Sequence, residues 1–418
     1  MPAQLHDHID EIRSQFPALA RKTGEQPTAF FDGPAGTQVP QSVIDAVSRY
    51  FVQHNANHGG LFGTSRESDA MLARTHQAVA EFLGSDDPDT VSFGPNMTTL
   101  TLSLSRALGR TWSPGDEVIV SRLGHDANFT PWVLAAADAG ATVRYIDIDP
   151  ADCTLDLDDF KAKLNDRTRL VAVGCASNAV GSVNPVKEIC RLSRGAGALT
   201  FLDAVHFAPH SLIDVKNFGC DFLACSAYKF FGPHVGIMWG RRPLLEKLPA
   251  YKLRPASDAL PDKWMTGTQN HECIAGTLAA IDYLTDLGRT VADDESMPRR
   301  PALKLAYQAI TDYEQQLIWH LIEGLRPLES FRLWGIADPL RKDERLPTIS
   351  ITHSHRKPPE IAEQLGRRGL FVWHGNYYAL PLTERLSLEP DGMIRVGVAH
   401  YNTMGEVDRL LAALRDLA

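Results

Sequence analysis

From about residue 68 to 240 the chain repeats one pattern that leaves few folds open: short apolar runs alternating with stretches of helical spacing. The runs are TVSFG (90–94), EVIVSR (117–122), TVRYIDI (142–148), RLVAVGCAS (169–177), LTFLDA (199–204), DFLACSA (221–227) and VGIMWG (235–240). Amphipathic segments such as LDDFKAKLN and VKEICRLSRGAG lie between them, the second closing on a glycine-containing stop signal. Near-continuous apolar strands alternating with helices read as a mostly parallel seven-stranded sheet covered on both faces. The expected fold class is α/β.

Beyond the last run, YKLRPASDALPD (251–262) is polar and loop-like, and helical patterns follow from about His271 to Leu287 and from Pro301 to Leu325. After Pro327 the character changes to RLWGI, TISITH, LFVWHG and MIRVGVAH, interleaved with the helical KPPEIAEQLGRRG and GEVDRLLAALRDLA. This reads as a smaller α+β domain. The expected division is an N-terminal segment over 1–25 packing with the small domain, a large domain over 26–290 and a small domain over 291–418.

Composition removes several classes of function. Lys and Arg number 42 against 51 Asp and Glu, a net charge of −9, which argues against coating nucleic acid or an acidic membrane surface. No run approaches the roughly 18 apolar residues of a membrane span. MPAQLHDHIDEIRSQFPALARK has no continuous apolar core of a secretory signal, so a cytoplasmic protein is expected. The six cysteines form no CxxC pair and sit mostly inside apolar runs, as small buried hydrophobes do. NHECIAG lacks the second histidine of a zinc-protease helix, and HDH (6–8) and HSH (353–355) are isolated, so no metal site is expected. A nicotinamide oxidoreductase is disfavoured because no GxGxxG follows the first strand.

Chemistry-bearing residues gather at the ends of the apolar runs. DFLACSAYKFFGP closes on Lys229, where burial would lower the ammonium pKa and give an amine able to condense with an aldehyde. LTFLDAVH ends on Asp203, a carboxylate suited to a protonated pyridine nitrogen, with His206 just beyond. In VSFGPNMTTL a Gly-Pro-Asn turn leads into Thr98 and Thr99 at a helix start, a ready phosphate cradle to which Ser226 could add a hydroxyl. His125 follows a strand in RLGHDANFTPW and would face the crevice at the strand ends, with Asp126 placed to cap the next helix. Each alone is an ordinary structural residue; together at successive strand ends they describe a site.

Taken over nearly its whole length, from FPAL and FFDGPAGT to RVGVAHYNT, the chain resembles the fold type I pyridoxal-phosphate enzymes, specifically the class V aminotransferase and cysteine desulfurase group. The resemblance implies pyridoxal 5′-phosphate as cofactor, held by Lys229 of SAYKFFGP as a Schiff base. It implies Asp203 on the pyridine nitrogen, His125 stacked on the ring, Asn178 of ASNAVGS on the ring hydroxyl, and His206 where the family has glutamine. Thr98 and Ser226 would bind phosphate with Asn96 and Met97 in the turn, and Tyr228 replaces the histidine beside the lysine in desulfurases. Thr268 of TGTQNHE would reach the neighbouring subunit's phosphate site, making the enzyme at least a homodimer. Arg395 of MIRVGVAH would clamp a substrate α-carboxylate, and His58 of NANHGG falls where the family has an active-site histidine, followed here by Gly59.

One departure bears on the reaction. In desulfurases a mobile loop carries the thiol that attacks substrate sulfur; the matching stretch, GLFVWHGNYYALP, has Tyr378 at that position, or Tyr377 if the register slips by one. No cysteine follows Cys273, and a phenol forms no persulfide. Expected, then, is pyridoxal-phosphate chemistry on a small, possibly cysteine-related amino acid, with Lys229 as the proton-moving base and Tyr378 and Asn376 toward substrate. β-Elimination as a carbon–sulfur lyase is the leading reading. Transamination and epimerisation remain open, as does a non-catalytic scaffold.

Overall fold

The computed structural model describes residues 5–418, so the first four residues of the expected N-terminal segment lie outside the described residues. All seven apolar runs become strands of one sheet: β1 (Val91–Gly94), β2 (Glu117–Ser121), β3 (Thr142–Ile146), β4 (Thr168–Gly174), β5 (Leu199–Asp203), β6 (Phe222–Ser226) and β7 (Gly236–Gly240). The spatial order is β1-β7-β6-β5-β4-β2-β3, and only β7 runs antiparallel to its neighbours. The sheet is therefore mixed but mostly parallel. Six strands point their carboxyl ends at the same edge, the edge where open α/β sheets place their ligands.

Period-two alternation splits the apolar side chains between two faces. Phe201 and Phe222 pack with Trp132, Leu104 and Leu108 on one side, while Leu202, Leu223 and Ile237 join a larger core on the other. Helices α1 (Met97–Gly109) and α2 (Thr130–Ala139) cover the first face, and α3 (Val186–Gly195) contributes Ile189 and Cys190 to the second. The helical patterns further along form α4 (His271–Ala292) and α5 (Arg299–Leu325). These two pack closely because Gly288 has no side chain: a Cβ there would sit 1.9 Å from the Ala302 carbonyl oxygen.

The C-terminal part is an antiparallel sheet of β8 (Phe331–Trp334), β9 (Thr348–His353), β10 (Trp373–Gly375) and β11 (Met393–Gly397), in the order β8-β9-β11-β10, with helices α6 (Pro358–Arg367) and α7 (Met404–Arg415). A Thr403–Glu406 capping box starts α7. The two-residue strand Ala29–Phe30 pairs in parallel with Leu370–Phe371, and Asp32 bridges to Gly397. The N-terminal segment thus joins the C-terminal layer several residues beyond position 25.

Candidate active site

Five strand ends converge on one cavity of about 290 Å³. Its wall is drawn from the turn after β1 (Asn96, Met97, Thr98), the loop after β2 (His125), the segments after β4 and β5 (Asn178, Asp203, His206), the end of β6 (Ser226, Tyr228, Lys229) and the C-terminal sheet (Trp373, Tyr377, Tyr378, Arg395). Twelve of the fifteen residues expected at the site from sequence line this single cavity: Asn96, Met97, Thr98, His125, Asn178, Asp203, His206, Ser226, Tyr228, Lys229, Tyr378 and Arg395.

Lys229 lies in a one-turn helix following β6 and is 8% exposed. Its Nζ donates to the Pro34 carbonyl and, at 3.1 Å, to the Ala35 carbonyl, and stands 4.8 Å from the centre of the Tyr228 ring. Burial, reinforced by the Arg395 charge, brings the ammonium pKa down to about 7, against the opposing pull of Asp203 and Asp32. Asp203, the last residue of β5, accepts from the Val205 N–H at 2.8 Å, yet burial pushes its carboxyl up to about 6. A carboxylate held this dry is stabilised by a cationic partner.

His125 is set by its own backbone: Nδ1 accepts from the Ala127 N–H at 3.0 Å, which leaves the proton of the neutral ring on Nε2. Burial and the charges of Lys229 and Arg395 lower its pKa to about 4, so the imidazole is neutral at physiological pH. The capping role expected of Asp126 falls to His125 instead, because the chain enters a short 3-10 turn; Asp126 accepts from the Thr130 hydroxyl. His206 is 4% exposed and neither ring nitrogen has a partner in the chain. Burial lowers its pKa well below the usual value, with His210 adding to the shift.

At the other end, Asn96 caps α1 by accepting from the Thr99 N–H at 2.8 Å, and the Met97 N–H donates to the Ser226 hydroxyl at 3.1 Å. Thr98, the second residue of the helix, is exposed at its open end. Strand β7 passes so close that a Cβ on Gly236 would lie 2.3 Å from the Asn96 carbonyl carbon. Glycine there is what lets a helix N-terminus, with its partial positive charge, sit beside the end of β6.

The C-terminal sheet supplies the remaining wall. Arg395 is 3% exposed; its Nη1 donates to the Asn178 carbonyl at 2.8 Å, its guanidinium sits 4.3 Å over the Tyr377 ring, and its Nε has no partner. Tyr377 and Tyr378 are consecutive left-handed residues, with φ of 56° and 58°. Side chains disfavour that region by roughly 1–2 kcal/mol per residue, a cost that persists only where neighbours hold the chain. Here the Asn178 amide donates to the Tyr377 carbonyl at 3.0 Å and the Asp126 N–H to the Tyr378 carbonyl at 2.7 Å. The Tyr378 ring stacks on His125 with centroids 5.4 Å apart.

Asn376 is not among the lining residues. Its Oδ1 accepts from the Tyr378 N–H at 3.1 Å and its Nδ2 donates to Glu389, so a side chain expected on substrate instead braces the two left-handed tyrosines. His58 and Thr268 line a separate surface pocket of about 830 Å³ together with Asn57, Asp69 and His271. His58 does not line this chain's own cavity; its ring instead lies 5.9 Å from that of His271 at the start of α4. Sequence reasoning did not single out Asp32 or the Pro34 and Ala35 carbonyls. Asp32 has an unpartnered buried Oδ1 and a pKa raised to about 6 by burial. The only signal was the Asp-Gly-Pro turn in FFDGPAGT.

A mostly parallel seven-stranded sheet, a lysine and an aspartate buried at adjacent strand ends, and an arginine brought over them by a second sheet are the architecture of the fold type I pyridoxal-phosphate enzymes. Within that class the chain belongs to the aminotransferase class-V family, whose model matches residues 29–298 and 301–410. It is 30% identical over 422 residues to a cysteine desulfurase of Pectobacterium carotovorum subsp. carotovorum (strain PC1), with 97% of each chain covered. The same identity and coverage hold for a cysteine desulfurase of Serratia proteamaculans (strain 568). Among solved structures, the apo cysteine desulfurase of Thermococcus onnurineus NA1 superposes with a TM-score of 0.86 at 24% identity, covering 98% of this chain and 97% of that one. The S-sulfonic acid form of an Escherichia coli cysteine desulfurase gives 0.81 at 23% identity and 98% coverage of both.

Proposed function

We propose that this protein is a pyridoxal 5′-phosphate-dependent carbon–sulfur lyase that cleaves a small amino acid by β-elimination and forms no protein persulfide. The observation that carries this reading is the absence of a thiol from a cavity otherwise equipped for amino-acid chemistry. Cys153, Cys175, Cys190, Cys220 and Cys225 are buried and Cys273 lies at the start of α4; none lines the cavity. Burial raises the pKa of all six, which keeps them as inert thiols.

The residues present fit the cofactor. Asn178 Oδ1, both nitrogens of His206 and Arg395 Nε are buried polar atoms without partners, and such atoms need a polar ligand. Lys229 would hold the aldehyde carbon through Nζ, Asp203 the pyridine nitrogen, Asn178 and His206 the ring hydroxyl, and His125 one ring face. Asn96, Met97, Thr98 and Ser226 would form the phosphate cradle at the start of α1. When bound, the cofactor stabilises negative charge at the substrate α-carbon. Arg395 then fixes the α-carboxylate, and Lys229 Nζ takes the α-proton. The Cβ–S bond breaks with its electrons on sulfur, which leaves as a thiol once protonated, and the three-carbon fragment hydrolyses to pyruvate and ammonium. Tyr377 and Tyr378, latched to Asn178 and Asp126, would wall the cavity on the side of the C-terminal sheet.

Lys229 also sets a pH dependence. Below about pH 7 it is an ammonium and cannot attack; above, it is a free amine. Capture of added cofactor by cofactor-free protein is expected to speed up about tenfold per pH unit up to about 7 and then level off, as followed by stopped-flow absorbance. A rate still climbing steeply above pH 9 would contradict a depressed lysine.

Products test the reaction itself. With S-substituted L-cysteine we expect pyruvate and ammonium in equal amounts, and no sulfane sulfur on the protein after alkylation and mass spectrometry. Alanine with protein-bound sulfur would restore the desulfurase reading. A single turnover that stops with the cofactor in its amine form would make the enzyme a transaminase, the second outcome these residues support.

Thr268 and His58, in a pocket away from this chain's own cavity, are proposed to complete the site of a second copy in a homodimer. Leu61 and Phe62, close to His58 in sequence, are 88% and 59% exposed, and Leu253, which also lines that pocket, is 68% exposed. Apolar surface of that extent is what a partner covers.

A further inference from the structure

Just past β10 the chain makes a tight turn, closed by the Ala379 N–H, which donates to the Asn376 carbonyl at 2.7 Å. Both central residues, Tyr377 and Tyr378, have positive φ. A turn of this mirror-image kind is ordinarily built from glycine, asparagine or aspartate, because a bulky side chain strains a left-handed backbone. Two successive tyrosines are poorly suited to it. Strain of this sort points to side chains that are needed where they stand.

Each ring meets a binding residue carried by a different sheet. Tyr377 lies beneath the guanidinium of Arg395, from β11. Tyr378 lies against His125, from the loop after β2, with 19° between the ring planes. The main chain reinforces the second contact. The Asp126 N–H, one residue from His125, donates to the Tyr378 carbonyl, and the Tyr378 N–H donates to Asn376 Oδ1. One residue therefore grips His125 twice, through its ring and through the adjoining peptide. The contact is made inside one chain, so it does not depend on what a second copy covers.

We infer that Tyr378 is a positioning residue: acting through His125, it holds the imidazole in the plane against which the cofactor ring packs. This rests on the proposed role of His125 toward the cofactor. An imidazole already set in its bound orientation loses little freedom when a ligand arrives, and that saving appears as affinity.

The test titrates cofactor-free protein with pyridoxal 5′-phosphate and reads the dissociation constant and the visible circular dichroism of the bound cofactor. Wild type is compared with Tyr378→Ala, Tyr378→Phe, His125→Ala and the double alanine variant. Tyr378 is 71% exposed and outside the hydrophobic core, so alanine there removes the stack and little else. Tyr378→Ala is expected to weaken the cofactor about fivefold and to reduce the dichroic band by about half. Tyr378→Phe keeps the ring and should stay within about twofold of wild type. In the His125→Ala background, Tyr378→Ala should change the affinity by less than about twofold, since nothing is left for the tyrosine to hold.

An undiminished loss in that background would mean that Tyr378 acts by another route. Tighter binding by Tyr378→Ala would mean that the tyrosine ring occupies the cofactor's place, and an unchanged affinity would mean that it has no part in binding. Any of the three overturns the inference. Failure of the wild type itself to bind the cofactor is a separate result, which removes the proposed function and this inference with it.

Discussion

A Lys229→Ala variant is expected to emerge from gel filtration colourless, with less than about one-thousandth of wild-type keto-acid formation, while keeping its fold. Loss of a covalent and proton-moving group accounts for effects of this size. The fold should survive because two costs offset each other. Removing Nζ orphans the Pro34 and Ala35 carbonyls, at about 1–3 kcal/mol for a lost buried partner, but it also relieves the desolvation that lowers the lysine pKa. Thermal unfolding within a few degrees of wild type would support that balance. Retention of both colour and activity would remove Lys229 from its assigned role.

The second large effect belongs to Arg395. Burial lowers the guanidinium pKa to about 10, against the opposing pull of Tyr377 and Asp32, which still leaves it charged at neutral pH, and its Nε is unpaired. A substrate carboxylate arriving there forms a buried, charge-assisted pair, and truncating one side of such a pair costs about 2–5 kcal/mol. Arg395→Ala should therefore raise KM at least about 30-fold, with the cofactor band intact and kcat changed far less. Arg395→Lys should recover only part of the loss, because an ammonium makes no bidentate contact. If the alanine variant instead lost cofactor and kept its KM, the arginine would serve the cofactor and the orientation of substrate in the cavity would have to be reversed.

Much of this site was legible because of how parallel sheets are built. Each apolar run announced a buried strand, and the polar residue closing it had to lie at the carboxyl edge; Lys229, Asp203, His125 and the Asn96 turn were all found that way. The reversal of β7 was not legible, since a strand's apolar pattern is the same in either direction. Nor was the pairing of Ala29–Phe30 with Leu370–Phe371, a contact between distant segments two residues long. Tyr377 and Tyr378 read as loop residues, yet their left-handed backbones depend on Asn178 and Asp126, which no local pattern reveals. For the same reason Asn376 looked like a substrate contact and proved a brace, and Asp32 was hidden in a turn whose partners come from β11. His58 and Thr268 lie in motifs that the sequence brought out, but a single chain places both in another pocket.

The central claim is that Lys229, Asp203 and Arg395 together bind pyridoxal 5′-phosphate and a small amino acid in one cavity. The most direct measurement is the visible spectrum of the purified protein, with cofactor added, as S-methyl-L-cysteine is titrated in and pyruvate is followed in the same cuvette. The account predicts a visible cofactor band that shifts on mixing, returns as substrate is consumed, and tracks pyruvate release. No band at any cofactor concentration would contradict it and leave a protein that kept the fold without the chemistry.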